Sequence, residues 1–285
     1  MKKLLVTGAS GFLGNRVVDF YKGKYEVYAP THGELDIRNR DKVFSCLEGW
    51  RPDAVVHCAA ISDIGRCERE PERSWDINVE GSVNLAAASA AVGAKCLFCS
   101  SDQVYFGSSQ KGPHREQQEL RPGNLYGREK LYAEEKCTQV NPDCVHLRLS
   151  WMYDVRTMNE GEHSDFLRTL LAQIRTSETL RYPGNDVRGI TDVNEVVGNL
   201  EPALGLAGGA YNFGAPNERS TYETACCLFR ELGWDRGRLA ELEDAANPRD
   251  ISMSQEKINN GGIFFADTVE GLVRSIKGVL SNFVL

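Results

Sequence analysis

Short, almost continuously apolar runs recur through the first half of the chain: "KLLVTG" (3–8), "YEVYAP" (25–30), "DAVVHCAA" (53–60), "AKCLFCSS" (94–101) and "CVHLRLS" (144–150). Runs of this length fit strands covered on both faces. Between them, stretches at about 14–22, 40–49, 72–92 and 124–140 read as helices. Strands and helices taking turns predict an α/β fold with a parallel, doubly wound sheet of the Rossmann kind. Beyond Met152 the alternation loosens. There "YDVRTMNEGEHS" (153–164) reads as a loop, "DFLRTLLAQIRT" (165–176) and about 192–206 as helices, and "GAYNFGA" (209–215) as a strand. The expected organisation is a dinucleotide-binding domain from residues 1–152 and about 187–214. A smaller, interleaved substrate lobe takes about 153–186 and 215–285.

Composition narrows the class. The 285 residues, 41% hydrophobic and 26% charged, suffice for that arrangement. No apolar run approaches the roughly 18 residues of a membrane span. The apolar stretch after the two N-terminal lysines stops at Thr7 without a cleavage pattern, so no signal peptide is expected. Nine cysteines, several of them in apolar runs, read as the reduced thiols of a cytoplasmic protein. They suggest neither a disulfide framework nor a zinc site, and no metal is expected. A formal charge of −7 without a basic cluster argues against nucleic acid. The expected partner is a small molecule, with a homodimer as a candidate assembly.

In "KLLVTGASGFLGNRVV", Gly8, Gly11 and Gly14 fall between the first strand and the first helix, with Phe12 and Leu13 among them. Glycines there permit a tight turn and let backbone N–H groups approach a pyrophosphate. The spacing is GxxGxxG, and its position at the first strand–helix junction makes it a candidate cofactor loop. An NAD-binding chain usually ends its second strand in an acid that holds the adenosine ribose. Here that strand ends "VYAPTH", and Glu34 and Asp36 come later. Arg16, two residues past Gly14, is a candidate for a 2′-phosphate, the alternative being an ordinary exposed helix residue. NADP(H) is therefore favoured over NAD(H).

"NLYGREKLYAEEK" (124–136) holds the same spacing twice: Tyr126 with Lys130, and Tyr132 with Lys136. Each pair shares one helix face, and the two faces diverge by about 120°. The face of Tyr126 and Lys130 continues through Ala133 and Cys137, which are small or buriable; the other passes Glu135 and Gln139, within a charged run expected to be solvated. The first pair is thus the candidate for chemistry. A lysine cation favours the phenolate of a nearby tyrosine, preparing it to exchange a proton with a carbonyl oxygen. Ser101, at the end of the fourth strand, is placed to hydrogen-bond that oxygen. His57 reads as a strand residue rather than a ligand, since no second ligand stands near it.

Taken together, "TGASGFLG" (7–14), "ELDI" (34–37), "RPDAVVHCAA" (51–60), "CEREPERSWDINVEGSVNLA" (67–86), "SSDQVYFG" (100–107), "RPGNLYGREK" (121–130), "RLSWMY" (148–153) and "PRDISMS" (248–254) resemble the extended short-chain dehydrogenase/reductase family. Within it they look most like the dTDP-4-dehydrorhamnose reductase branch, closely to about residue 153 and loosely beyond. The resemblance implies that Ser101, Tyr126 and Lys130 are catalytic, and that Asp36 and Ile37 border the adenine. It implies that Ala59 and Ala60 line the cofactor cleft, and that Asn78 holds the helix and an active-site water near the catalytic group. Ser101, Asp102, Gln103, Trp151 and Arg249 would meet the substrate, the arginine at its diphosphate.

The same scaffold carries several reactions. Dehydratases of this superfamily have Thr-Asp-Glu where this chain has Ser101-Asp102-Gln103, and a glutamine amide cannot act as the base of an elimination. The implied reaction is NADPH-dependent reduction of the 4-keto group of a nucleotide-linked 4-keto-6-deoxy sugar. The alternatives are a nucleotide-sugar epimerase, or a non-catalytic NADP-binding partner protein like the regulatory subunit of methionine adenosyltransferase.

Overall fold

Five strands and the helices between them build the first half of the protein, seen in a computed structural model that describes residues 1–156, 165–242 and 248–282. The strands are β1 (Lys3–Thr7), β2 (Glu26–Tyr28), β3 (Ala54–His57), β4 (Lys95–Ser101) and β5 (Val145–Leu149). The helices are α1 (Phe12–Tyr21), α2 (Arg40–Trp50), α3 (Ile64–Arg69), α4 (Pro71–Trp75), α5 (Ser82–Val92) and α6 (Leu125–Val140). The stretch expected as one helix over 72–92 is α4 and α5 joined by a π-helical turn, Asp76–Gly81, which carries Asn78 into the interior. Gly81 lets the Ile37 side chain pack close against that turn, where a Cβ would lie 2.7 Å from it.

Past β5 the chain forms β6 (Trp151–Tyr153), α7 (Phe166–Thr176), β7 (Leu180–Pro183), β8 (Asp186–Val187) and β9 (Ile190–Asp192). Next come α8 (Val193–Ala203), β10 (Gly209–Phe213), α9 (Thr221–Leu232), β11 (Leu239–Leu242), β12 (Arg249–Asp250), α10 (Glu256–Asn260) and α11 (Thr268–Asn282). Side chains stop the backbone N–H groups at several helix starts: Asp165 caps α7, Asp192 caps α8, and Ser220 with Glu223 forms a capping box on α9. Most of the stretch expected as a loop over 153–164 lies outside the described residues.

The main sheet is six-stranded and parallel, in the order β10-β5-β4-β3-β1-β2, a Rossmann-like α/β architecture. One face packs Val6, Val17, Leu147, Val196 and Phe213, from the sheet, α1 and α8; the other packs Leu5, Val43, Val55, Leu85 and Ala133, from the sheet, α2, α5 and α6. Burial on both faces is why these strands read as apolar runs rather than alternating ones. A third core, including Tyr153, Phe166, Leu170, Leu228, Phe229 and Leu272, fills the C-terminal part beneath two-stranded sheets such as β11-β7. Because β2 and β3 flank β1 on opposite sides, the sheet reverses direction at the carboxyl ends of β1 and β3, the crevice where such sheets bind ligands.

Candidate functional site

Gly8 follows β1 in the left-handed region (φ 70°), and a Cβ on it would lie 2.6 Å from the Ala59 nitrogen. A Cβ on Gly14 would lie 2.2 Å from the Gly8 carbonyl oxygen. Glycine alone fits these two positions, which bring the loop against the backbone that follows β3 and the start of α1 against the loop. Gly11 caps α1 without a side-chain hydrogen bond, and the first turn carries no acid. The amides at the helix start therefore face the crevice with no side chain competing for them, as a pyrophosphate requires.

Cavities open on either side of this loop. The first, about 210 Å³, has Gly8, Pro30, Thr31, His32, Asp36, Ile37 and Ala59 in its wall, the shape and composition expected for an adenosine end. Asp36 is chelated by the Arg38 guanidinium, which holds its carboxyl down at about 2. The second, about 510 Å³, brings together Phe12, Ser101, Asp102, Gln103, Tyr126, Trp151 and Arg188. The glycine cradle between two such cavities fits a dinucleotide. Among the described residues no cluster of three or more potential ligands could hold a metal ion.

Helix α6 supplies Tyr126 to the second cavity. Asn124 caps it, accepting from the Gly127 amide at 2.7 Å. Gly127 is needed because a Cβ there would lie 2.4 Å from the Gln103 carbonyl oxygen. Tyr126 and Lys130 are buried, whereas Tyr132 is 47% exposed and packs at the surface against Trp75 with the rings tilted by 60°. The Lys130 ammonium lies 5.7 Å from the Tyr126 ring centre and donates to the Cys99 carbonyl at 2.8 Å. Burial lowers the pKa of Lys130 and raises that of Tyr126, while the Ser101 hydroxyl draws the tyrosine back toward the phenolate. Burial outweighs that hydrogen bond and the Tyr126 pKa is raised, which favours the neutral phenol.

Ser101 ends β4 and caps a 3₁₀ turn over Asp102–Tyr105. Its hydroxyl donates to Asp102 Oδ1 at 3.2 Å and accepts from the Gln103 amide. Burial pushes the Asp102 carboxyl up to about 6, against the nearby Arg188 cation, the Ser101 and Gln103 hydrogen bonds and the Arg249 charge. The Gln103 side chain accepts from Asn124 at 3.1 Å, tying the serine turn to the start of α6.

Asn78 lies in neither cavity wall. It accepts from the Ile61 amide at 2.8 Å and donates to Ile61 O and to the buried Glu129 carboxylate, at 3.0 and 2.7 Å. It fixes the loop after β3 to the turn preceding Lys130. Ala60 and Leu13 also lie outside both walls, Leu13 in the core. His57 is a hydrogen-bonded strand residue. Ser82 gives its proton to Asn78 O, so His57 Nε2–H donates to Ser82 Oγ and Nδ1 accepts from Thr7, while burial and then the Lys130 charge lower the imidazole pKa to about 3.

Three sequence expectations need correction. Arg16 is not poised for a 2′-phosphate: it is buried, donates to Asp154 Oδ2 at 2.8 Å and lies 4.2 Å over the ring of Phe12, which lines the second cavity. Arg249 is absent from the wall of the second cavity and is engaged bidentately by Asp186, at 2.8 and 3.1 Å. Arg188 occupies the wall instead, its guanidinium 3.8 Å over the Trp151 ring. Nothing in the pattern of "GNDVRGI" announced it, since a lone arginine between two very short strands has no periodicity. The charged run "AEEK" is not uniformly solvated either. Glu134 is buried and holds Arg148 Nε and Nη2 at 3.0 and 2.6 Å, with Ser100 donating at 2.5 Å.

A doubly wound sheet, a glycine loop at its switch point and a serine, tyrosine and lysine at one end define the short-chain dehydrogenase/reductase architecture. The sequence pattern of the RmlD substrate binding domain matches residues 1–270, and the chain belongs to that family. A dTDP-4-dehydrorhamnose reductase of Mycolicibacterium smegmatis is 29% identical over 251 residues, spanning 87% of this chain and 75% of the relative. The methionine adenosyltransferase 2 subunit beta of Pongo abelii is 25% identical over 282 residues, spanning 92% and 83%. Among solved structures, dTDP-4-dehydrorhamnose reductase from Bacillus anthracis in complex with NADP superposes with a TM-score of 0.84 at 25% identity, covering 98% and 99% of the two chains.

Proposed function

We propose that the protein uses NADPH to reduce the 4-keto group of a nucleotide-linked 4-keto-6-deoxy sugar. The observation that carries this reading is the convergence of Ser101 and Tyr126 on one cavity, with the buried Lys130 behind the tyrosine and Trp151 in the facing wall. The nicotinamide supplies the hydride when bound. The Ser101 hydroxyl orients the substrate carbonyl oxygen, and the Tyr126 phenol delivers the proton to it. Lys130 balances the charge left on the tyrosine, and its own position is set by the Cys99 carbonyl. NADP is favoured because the second strand ends without an acid and because Arg38 neutralises Asp36, which would otherwise repel a 2′-phosphate. The NADP complex of the Bacillus anthracis relative supports the same choice.

A second reading is an NADP-binding partner protein without turnover, favoured by the methionine adenosyltransferase subunit, which aligns over 92% of this chain against 87% for the Mycolicibacterium reductase. Incubation with NADPH and dTDP-4-dehydrorhamnose separates the two. Loss of the dihydronicotinamide absorbance together with a 4-hydroxy sugar product supports the reductase. Tight NADPH binding with no consumption across related ketosugars contradicts it and supports the partner protein.

A further inference from the structure

Cys58 and Cys99 stand side by side at the carboxyl ends of neighbouring parallel strands, one position beyond the His57–Phe98 pair that ends the β3–β4 register. Their sulfurs are 3.7 Å apart and both pack against the same face of the sheet. Cys96 has CxxC spacing to Cys99, yet it points into the core on the opposite face, as strand alternation dictates. The pairing is therefore across strands and not along one.

The place of this pair matters more than its existence. The Cys58 and Ala59 backbone supports the glycine loop: a Cβ on Gly8 would lie 2.8 Å from the Cys58 carbonyl carbon. On the other strand, the Cys99 carbonyl is the acceptor that holds Lys130. The S–H of Cys58 and the Lys130 cation together favour a thiolate on Cys99, against its burial. The two sulfurs thus sit between the floor of the proposed cofactor site and the anchor of its lysine.

We propose that Cys58 and Cys99 are a dithiol oxidation site, converted by a hydroperoxide to a reversible cross-strand disulfide that disables the nucleotide site. One thiolate attacks the terminal peroxide oxygen; an S–O bond forms, the O–O bond breaks, and the alcohol or water leaves with a proton. The second thiol attacks the sulfenic sulfur; the S–S bond forms, and the oxygen departs as water with that thiol's proton. The dithiol loses two electrons and the hydroperoxide gains them. The sulfurs must close from 3.7 Å to the ~2.05 Å of a disulfide. Neighbouring strands, about 4.8 Å apart, are already within reach of a disulfide, so the sulfurs close by side-chain rotation. The cross-link removes the Cys99 thiolate that offsets the Lys130 charge and ties down the backbone that supports Gly8.

The inference rests on the nicotinamide-nucleotide reading, and the test keeps the two apart. The protein is treated with hydrogen peroxide with and without NADPH, digested without reductant and mapped by mass spectrometry; NADPH affinity is measured in parallel by fluorescence. The expected result is a Cys58–Cys99 cross-link lighter by two hydrogens, slowed by bound NADPH. NADPH affinity should fall by about tenfold or more and recover with dithiothreitol. Cys58→Ser and Cys99→Ser proteins should keep their untreated affinity under peroxide. Peroxide that oxidises other thiols without this cross-link overturns the proposal, as does a cross-link that leaves affinity unchanged, or a loss that persists in both variants. Failure of the untreated protein to bind NADPH counts against the cofactor reading instead, while the cross-link map still decides the thiol chemistry.

Discussion

Lys130 crosses from helix α6 to the end of strand β4, donating to the Cys99 carbonyl at 2.8 Å, two residues before Ser101. This hydrogen bond joins the Gln103–Asn124 and Ser100–Glu134 contacts in tying the helix bearing the proposed proton donor to the strand bearing the proposed carbonyl ligand. Lys130→Met removes that link and the charge behind Tyr126. Turnover should fall by about 10²-fold or more, a size typical of a lost acid–base component, while NADPH binding weakens less. Steady-state rates with NADPH binding measured in parallel check it.

The second tyrosine–lysine pair serves as an internal control. Tyr132 is 47% exposed and Lys136 also faces solvent. Tyr132→Phe and Lys136→Ala should each leave turnover within about twofold of the parent, and stability within about 0.5 kcal/mol. Kinetics and thermal melts of the two variants test this directly.

Glu134 and Arg148 form a buried ion pair, both side chains less than 7% exposed. Glu134→Ala leaves the guanidinium without its main counter-charge and should cost about 3–5 kcal/mol of stability. Urea unfolding of the variant measures this, and a loss below 1 kcal/mol would show that the pair does not hold α6 to β5.

Arg16 tests the corrected view of cofactor choice. Arg16→Gln breaks the contact with buried Asp154 and should lower the melting temperature. It should not alter the ratio of NADPH to NADH affinity, which competition binding reads. A collapse of that ratio would return Arg16 to the 2′-phosphate.

Asp102 gives stability a distinct pH signature. Its folded pKa, raised to about 6 from the 3.8 of a free carboxyl, means that the folded state keeps a proton that the unfolded state releases. Stability contributed by that proton is present below pH ~4 and lost as pH rises through ~6, an upper limit of about 3 kcal/mol. Asp102→Asn should therefore gain stability relative to the parent between pH ~4 and ~6, with no further relative change above. Chemical unfolding across that range checks the sign.

The fold was legible because strands buried on both faces carry an unbroken apolar signal, and β1 to β5 do so. The glycine loop was legible because sterics leave no other residue for Gly8 and Gly14. The face of α6 was legible from Ala133 and Cys137. What escaped depends on tertiary pairing. Glu134 looks like its exposed neighbour Glu135 until Arg148, fourteen residues away, supplies a counter-charge. Arg16 and Arg249 look like free cations until Asp154 and Asp186 claim them. Arg188 reaches the cavity wall from a turn without sequence period. The break of 72–92 into two helices around a π turn was not legible, because the turn buries polar Asn78 together with Val79 and Gly81, a mixture that an unbroken helix face also carries.

The most direct test of the central claim is a comparison of the parent and Tyr126→Phe proteins, each given NADPH and dTDP-4-dehydrorhamnose, with NADPH affinity measured alongside. The account predicts that the parent consumes NADPH, and that the variant binds it equally well but turns over at least about 10²-fold more slowly. Turnover retained in Tyr126→Phe, or absent from a parent that binds NADPH tightly, would contradict it.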